Sequence, residues 1–438
     1  MPQSLRALMW IAVYLLLVLA PLFALLLGPV PVGGGFWVDL SLALGFAATA
    51  MMAVMFLLTA RFQRATAPFG IDLIYYFHRQ ASIGAFGLTL LHPLLLVILD
   101  PRLLGAMRPS VMPWHLWAGL VSFVAMTALM ISSLWRKQLR IHYDAWRVGH
   151  VLLAVLALVT AVAHIAGVAH YSATPWKKWL WLLIALSCLL TVLYARLLKP
   201  ALMLRRPWRV VDVIPEHGST WTLVLRPERH AGFRFLPGQF AWLSLNRSPF
   251  AMKEHPFSIS SSAQNLREIS FTIKELGDFT RTIGRVKRGT LAYLDGPYGT
   301  FSIDLSQAPG YVFVAGGVGI APIMSMLRTL AERGDKRPLL LFYAYHTWER
   351  LTFREELEEL RGRLDLQIVC VLSEPPVDWQ GERGYLTEEI FARHLPPDKA
   401  GRECFICGPT PMIEVAEKAL ARQGVPLTHI HSEIFDLV

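Results

Sequence analysis

The chain has 438 residues, 54% of them hydrophobic and only 17% charged, with a formal net charge of +10. This balance suits a polytopic membrane protein, or a fusion of membrane and soluble parts, better than a soluble enzyme. Residues 1–200 hold 14 Lys/Arg against 4 Asp/Glu and residues 201–438 hold 28 against 28, so the soluble half lacks the basic footprint of a nucleic-acid binder and nucleic acid is excluded as a partner.

Six apolar segments long enough to span a bilayer run over roughly 5–27, 36–59, 72–99, 113–135, 146–168 and 176–198. The first is too long in its apolar core for a signal peptide and is followed by no clear cleavage site, so it reads as a helix. Arg61, Arg64, Arg136, Lys137, Arg140, Arg196 and Lys199 flank one side, and Arg102, Arg108, Lys177 and Lys178 the other. The positive-inside rule then places both termini in the cytoplasm, with spans three and five running outward in contact with membrane lipid. If the source is bacterial, the membrane is the plasma (inner) membrane.

After Lys199 a basic, Pro-containing linker leads into short β-type runs: WRVVDVI, WTLVLRP, FAWLSLN, HPFSISS, EISFTIKEL and TLAYLDG. Their spacing predicts a small antiparallel barrel. From Tyr311 onward the strands YVFVA, LLLFYAY, QIVCVLS and ECFICG alternate with helical stretches near 321–332, 353–362, 387–394 and 411–422. That alternation predicts a doubly wound parallel sheet. The expected architecture is a membrane all-α six-helix domain (1–200), an antiparallel β-barrel (206–303) and an α/β doubly wound domain (304–438). Four cysteines make no disulfide framework, which suits a cytosolic soluble half. Cys404 and Cys407 have zinc-like spacing but lie in a strand-like run without a second ligand pair, so zinc is not expected.

Two sets of residues carry chemistry. Span three holds His78 and His92, span five His150 and His164, each pair with fourteen residues from one imidazole to the next. Fourteen helical steps bring the second ring to within about 40° of the first and about 21 Å further along the axis. Because the spans run parallel, His78 falls level with His150, and His92 with His164. A lone membrane histidine is more often a packed polar residue, a relay or a pore-lining group. Two level pairs instead match the axial ligation of two stacked b-type haems. A proton or ion pathway without haem is the competing reading. His115, His142 and His170 lack a matching partner, while Arg79 and Arg147 stand at the inner level, where haem propionates would want positive charge and where interfacial snorkelling accounts for them equally well. In the soluble half, Gly316-Gly317-Val318-Gly319 joins a strand to a helix, with Pro322 in that helix's first turn, a loop that lets backbone approach a pyrophosphate. Cys407, Gly408 and Pro409 close a late strand at its carboxyl end, where doubly wound sheets bind ligands.

HPFSIS (255–260), IKELGDFT (273–280), GPYG, GGVGIAP (316–322) and CGPTPM (407–412) together resemble the ferredoxin-reductase-type flavin and NAD(P)H module. Joined to a six-span, four-histidine core, the chain resembles the ferric reductase and NADPH oxidase superfamily over nearly its whole length. The resemblance implies that His255, Pro256, Phe257 and Ser258 line FAD. Ile273, Lys274 and the turn from Gly277 to Thr280 would approach its ribityl and phosphate part. Gly316, Gly317, Gly319, Pro322, Gly408 and Pro409 would bind the cofactor NAD(P)H, with Cys407 beside the hydride-transfer centre. Phe435 would cover the flavin until nicotinamide displaces it. His255, where soluble reductases carry Arg, matches the oxidase and metalloreductase branch. The outer end of span two has no Arg and Leu96 follows His92 by one turn, unlike animal oxidases. The expected function is a transmembrane flavocytochrome oxidoreductase, carrying electrons from cytosolic NAD(P)H through FAD and two haems to oxygen or a ferric chelate outside. Supply of a periplasmic or membrane partner protein is the alternative.

Overall fold

The computed structural model describes residues 3–62, 71–106 and 109–434. A helical unit extends up to Lys199, and a second unit runs from Pro200 onward.

The helical unit contains α1 (Gln3–Leu25), α2 (Phe36–Thr59), α3 (Ile71–Leu99), the one-turn α4 (Leu103–Ala106), α5 (Trp114–Leu134), α6 (Tyr143–Val168) and α7 (Pro175–Leu193). All but α4 are long and apolar enough to cross a membrane. Their ends are written locally. Gly35, at φ 95°, turns the chain into α2; Pro175 opens α7 from the first-turn position that needs no N–H; left-handed Ala169 closes α6. The final helix passes directly into a π turn at Tyr194–Leu198.

Inside the unit, small and flexible side chains dominate: Ala53, Ala85, Ala125, Ala157, Ala161 and Ala185 pack with Met52, Met126 and Trp181. Small residues let helix backbones approach where lipid supplies no hydrophobic drive for association. Large aliphatics such as Leu16, Ile98 and Leu152 point outward instead. Polar groups stitch the helices together. Ser122 Oγ donates to Ala157 O (2.8 Å), and the fully buried Lys177 donates to the carbonyls of Leu25 (2.6 Å) and Pro29 (3.0 Å). The ammonium thereby satisfies carbonyls left open at the end of α1.

The second unit follows α8 (Lys199–Leu204). Its first sheet comprises β1 (Trp208–Glu216), β2 (Thr220–Pro227), β3 (Phe240–Leu245), β4 (His255–Ser258), β5 (Ile269–Lys274) and β6 (Leu291–Tyr298), in spatial order β4-β3-β6-β1-β2-β5. All its pairings are antiparallel. The bridge between Ile259 and Phe271 brings the two edges together, so the sheet curls around Trp208, Leu223, Leu243 and Phe271. The second sheet comprises β7 (Tyr311–Gly316), β8 (Leu339–Tyr345), β9 (Leu366–Leu372), the two-residue β10 (Glu382–Arg383), β11 (Glu403–Gly408) and β12 (Ile430–Ile434). It is parallel throughout, in order β10-β9-β8-β7-β11-β12. Helices α9 (Ile320–Glu332) and α10 (Arg354–Arg361) cover one face, α11 (Glu388–His394) and α12 (Thr410–Arg422) the other. The strand order reverses between β7 and β11, which makes the crevice at their carboxyl ends a ligand site.

Helix α9 also holds the two sheets in register. Arg328 grips Glu356 with two bonds of 2.6 Å and donates a third to Ser260 O, while Ser325 Oγ donates to Ser261 O (2.7 Å). The segment directly after β4 is thus tied to the helix that starts at the glycine loop.

Candidate functional site

The four spaced histidines meet in two pairs. His78 of α3 and His150 of α6 have ring centres 6.3 Å apart, and His92 and His164 lie 6.4 Å apart. Two imidazoles bound to opposite sides of one metal ion, each by a bond of about 2 Å, place their ring centres roughly 6.5 Å apart. Among the described residues no third His, Cys or carboxylate joins either pair. Each level therefore offers two axial ligands and no equatorial ones, a donor set that fits a planar macrocycle carrying its own four.

The outer nitrogens of the rings support that fit. His92 Nδ1 lies 2.8 Å from the carbonyl of Ser41, whose hydroxyl donates to His92 O (2.7 Å). His164 Nδ1 lies 2.8 Å from the carbonyl of His115. A carbonyl only accepts, so both rings carry their proton on Nδ1, which leaves the Nε2 lone pair available to a metal ion. At the inner level Ser133 Oγ lies 3.3 Å from His150 Nδ1, and His78 Nδ1 is buried without a hydrogen-bond partner among the described residues. Close approach of the outer rings depends on glycine. A Cβ on Gly119 would stand 2.8 Å from His164 Nδ1, and one on Gly45 3.2 Å from the His92 ring. His115, given no role from spacing, acts through its backbone.

The inner pair faces a cavity lined by Met52, Met55, Phe56, Ser82, Met126, Leu129, Thr191 and Arg196. The two arginines expected at this level are placed elsewhere. Arg79 is exposed, and Arg147 is buried with its guanidinium 5.7 Å from the Tyr143 ring centre. Neither lines the cavity. Helix periodicity alone put them at the right height but did not set their direction.

In the curled sheet, β4 pairs with β3 so that His255, Pro256, Phe257 and Ser258 stand opposite Leu243, Trp242, Ala241 and Phe240. Ser258 Oγ is buried with no hydrogen-bond partner among the described residues, an unmet polar atom of the kind a bound cofactor satisfies. Phe279, within the Gly277–Thr280 turn but given no separate role from sequence, stacks on His255 (4.0 Å between ring centres, 21° between planes) and lies 6.0 Å from Phe257, nearly parallel to it. Thr280 Oγ1 accepts from the backbone N–H of Leu276 and Gly277 (2.8 Å each), which shapes the turn, and a Cβ at Gly277 would meet nothing within 4 Å. One expectation is corrected: the Ile273 side chain is buried in the barrel core, because strand alternation turns it away from the face that Lys274 occupies. The Lys274 ammonium sits 5.2 Å from the Tyr345 ring centre.

At the switch point two loops touch through their backbones. Gly316 ends β7, Gly317 (φ 55°) turns the chain in the left-handed region, and Gly319 leads into α9, where Pro322 is buried in the first turn. A Cβ on Gly319 would lie 2.1 Å from Cys407 O, and one on Gly408 would lie 3.1 Å from Gly316 Cα. Pro409 precedes α12, so two helix N-termini open beside the same crevice. Cys407 pairs in register with Ala315 on one side and Glu433 on the other; Glu433 carried no signal in the sequence. Phe435 lies outside the described residues.

Burial, reinforced by the Glu433 carboxylate, pushes the Cys407 thiol well above its ordinary range, and burial raises Cys404 to about 12. Both should therefore remain protonated thiols. Treatment of the native protein with iodoacetamide near about pH 8 should leave Cys404 and Cys407 unlabelled, with labelling appearing on unfolding. Peptide mass spectrometry checks this, and rapid native labelling of Cys407 would show an exposed thiolate instead.

The profile of the family described as ferric reductase like transmembrane component matches residues 44–161, that of an FAD-binding domain residues 206–302, and that of an oxidoreductase NAD-binding domain residues 313–418. The chain thus joins six helices long and apolar enough to cross a membrane to an FAD-binding and an NAD-binding oxidoreductase module, an order that resembles the ferric reductase/NADPH oxidase type of fusion. It is 32% identical over 236 residues to the reductase component of propane 2-monooxygenase from Rhodococcus jostii, covering 52% of this chain and 62% of the relative. It is 31% identical over 239 residues to the glycine betaine monooxygenase reductase subunit of Chromohalobacter salexigens, covering 52% and 63%. The chain thus spans less than two thirds of the length of these relatives. A flavohemoglobin from Malassezia yamatoensis aligns over 90% of this chain and 96% of its own, with TM-score 0.50 and 16% identity, a likeness of fold alone.

Proposed function

We propose that the chain carries electrons from cytosolic NAD(P)H to an acceptor at the outer membrane face, with FAD in the curled sheet and two b-type haems held by His78/His150 and His92/His164. The observation that carries this reading is the pair of ring separations, 6.3 and 6.4 Å, repeated at two levels. When bound, flavin converts a two-electron hydride donor into single electrons, and haem iron relays them one at a time.

The chain's own residues serve that chemistry by binding and orienting. Ser41 and His115 hold the outer imidazoles by their carbonyls, and the apolar lining of Met52, Met126 and Leu129 keeps water from the inner pair. Ser258 offers a hydroxyl, and the backbone at Gly317 leaves room for a dinucleotide, since a Cβ there would meet nothing within 4 Å. Cys407 stays a neutral, fully buried thiol at the carboxyl end of β11. His78/His150 and His92/His164 would hold the two groups from the protein side, and the acceptor would be oxygen or a ferric chelate at the outer face. Both termini lie in the cytoplasm by the distribution of flanking charge. A second reading, electron supply to a partner protein, is favoured by the names of the relatives, which are reductase components of monooxygenases.

The test is the absorption spectrum of the purified protein before and after NADH or NADPH. The expected result is a red protein with a sharp Soret change on reduction. A protein that is yellow or colourless would remove haem from the reading and leave the histidines as a proton or ion pathway.

A further inference from the structure

We propose that a second fourteen-residue repeat, on α2 and α5, makes the outer imidazoles stronger electron donors to iron than the inner ones. This rests on the haem reading above. Each outer ring meets its neighbouring helix in the same way. His92 Nδ1 donates to the carbonyl of Ser41, and a Cβ on Gly45 would press on the ring at 3.2 Å. His164 Nδ1 donates to the carbonyl of His115, and a Cβ on Gly119 would stand 2.8 Å from it. In both cases the carbonyl belongs to residue i and the glycine is residue i+4. Helix Cβ atoms tilt toward the N-terminus, so a side chain at i+4 lies over the carbonyl of i. Glycine leaves that oxygen open to a second donor.

Fourteen residues further along each helix the same two positions recur at the inner level, with a hydroxyl residue in place of glycine. They are Met55 and Thr59 on α2, and Leu129 and Ser133 on α5. Thr59 Oγ1 donates to Met55 O (2.9 Å) and Ser133 Oγ to Leu129 O (2.7 Å), so each carbonyl is covered by its own helix. Met55, Thr59 and Leu129 line the cavity that His78 and His150 face. His150 Nδ1 reaches the Ser133 hydroxyl at 3.3 Å, and His78 Nδ1 has no hydrogen-bond partner among the described residues. The outer rings thus give their Nδ1 proton to a carbonyl at 2.8 Å, while the inner rings meet a weaker acceptor or none. An acceptor on the far nitrogen raises the basicity of the ligating one, and a more basic ligand favours ferric iron. Gly45, Gly119, Thr59 and Ser133 are therefore positioning residues that act through the rings. They push the outer couple toward lower potential, at the face where the acceptor is met.

The test is a redox titration of both haem couples in the full-length protein, with haem and FAD per chain as the check on folding. Two truncations of Ser133 should move the inner couple in opposite directions. Ser133→Gly opens the Leu129 carbonyl to His150 Nδ1 and should shift the inner couple to a more negative potential. Ser133→Ala removes the hydroxyl but keeps the Cβ over that carbonyl, and should shift the couple to a more positive one. The outer couple and the FAD content should stay unchanged in both. Gly45→Ser sets a hydroxyl over the Ser41 carbonyl and should raise the outer couple alone. The Ser133 variants only remove atoms, so they decide the case even where Gly45→Ser does not fold. Shifts of the same sign in the two Ser133 variants, or none, with both haems retained, would overturn the proposal and leave the haem reading intact. A wild-type protein without haem would overturn both.

Discussion

On the proposed reading, replacing His78 or His150 with leucine should remove the inner haem signal and stop electron flow across the membrane, whereas His92→Leu or His164→Leu should remove only the outer one. This is the largest effect expected, because each level has only two protein ligands and neither has a substitute among the described residues. Leucine fills an apolar helix and limits misfolding. The two classes separate kinetically. Loss of an outer ligand leaves flavin reduction and inner-haem reduction by NAD(P)H intact, since neither passes through the outer site. Reduction of an impermeant ferric or cytochrome acceptor then collapses, because the two levels lie about 21 Å apart along the helix. Stopped-flow spectroscopy of flavin and haem, with an impermeant acceptor in oriented vesicles, measures both. Full haem content in His78→Leu and His150→Leu would sink the ligand assignment. Wild-type rates to the outer acceptor in His92→Leu would break the relay.

Gly319→Ala should slow NAD(P)H-driven flavin reduction steeply while leaving the spectrum of the chemically reduced protein unchanged. The added methyl would lie 2.1 Å from Cys407 O and 2.6 Å from Cys407 C, so it strikes backbone that cannot rotate away. The two loops must separate, which widens the crevice, and overpacking of this sort costs about 1–3 kcal/mol. Gly317→Asn is the control. A Cβ there meets nothing within 4 Å, and the φ of 55° is one that asparagine tolerates. Hydride transfer, followed as flavin bleaching, should fall steeply in the first variant and modestly in the second. Equal rates would mean that the contact between Gly319 and Cys407 does not shape the nucleotide crevice.

Much of this molecule was written in local pattern. Apolar length set the six spans, and their ends in the structure depart by only a few residues because Gly, Pro and charged residues interrupt the pattern there. A spacing of fourteen puts His78 and His92 on one face of α3 whatever surrounds the helix. Strand alternation and glycine loops marked the barrel strands and the four main parallel strands. The short β10 and the polar-alternating β12, both at sheet edges, gave no comparable signal.

Tertiary structure decided the rest, because it depends on which distant segments meet. Ser41 reaches His92 across 51 residues and the His115 carbonyl reaches His164 across 49, contacts that no periodicity encodes. Height along a helix suggested Arg79 and Arg147 for the inner level, but the direction of each side chain left the cavity to Arg196. Phe279 finds His255 and Phe257 only because the barrel brings the loop after β5 over β4, and Glu433 faces Cys407 only through the register of β11 with β12. Local sequence determined the elements and the donor types they carry; packing of remote segments determined the tautomer of the two outer rings, the direction of the charged side chains and the contact between the two glycine loops.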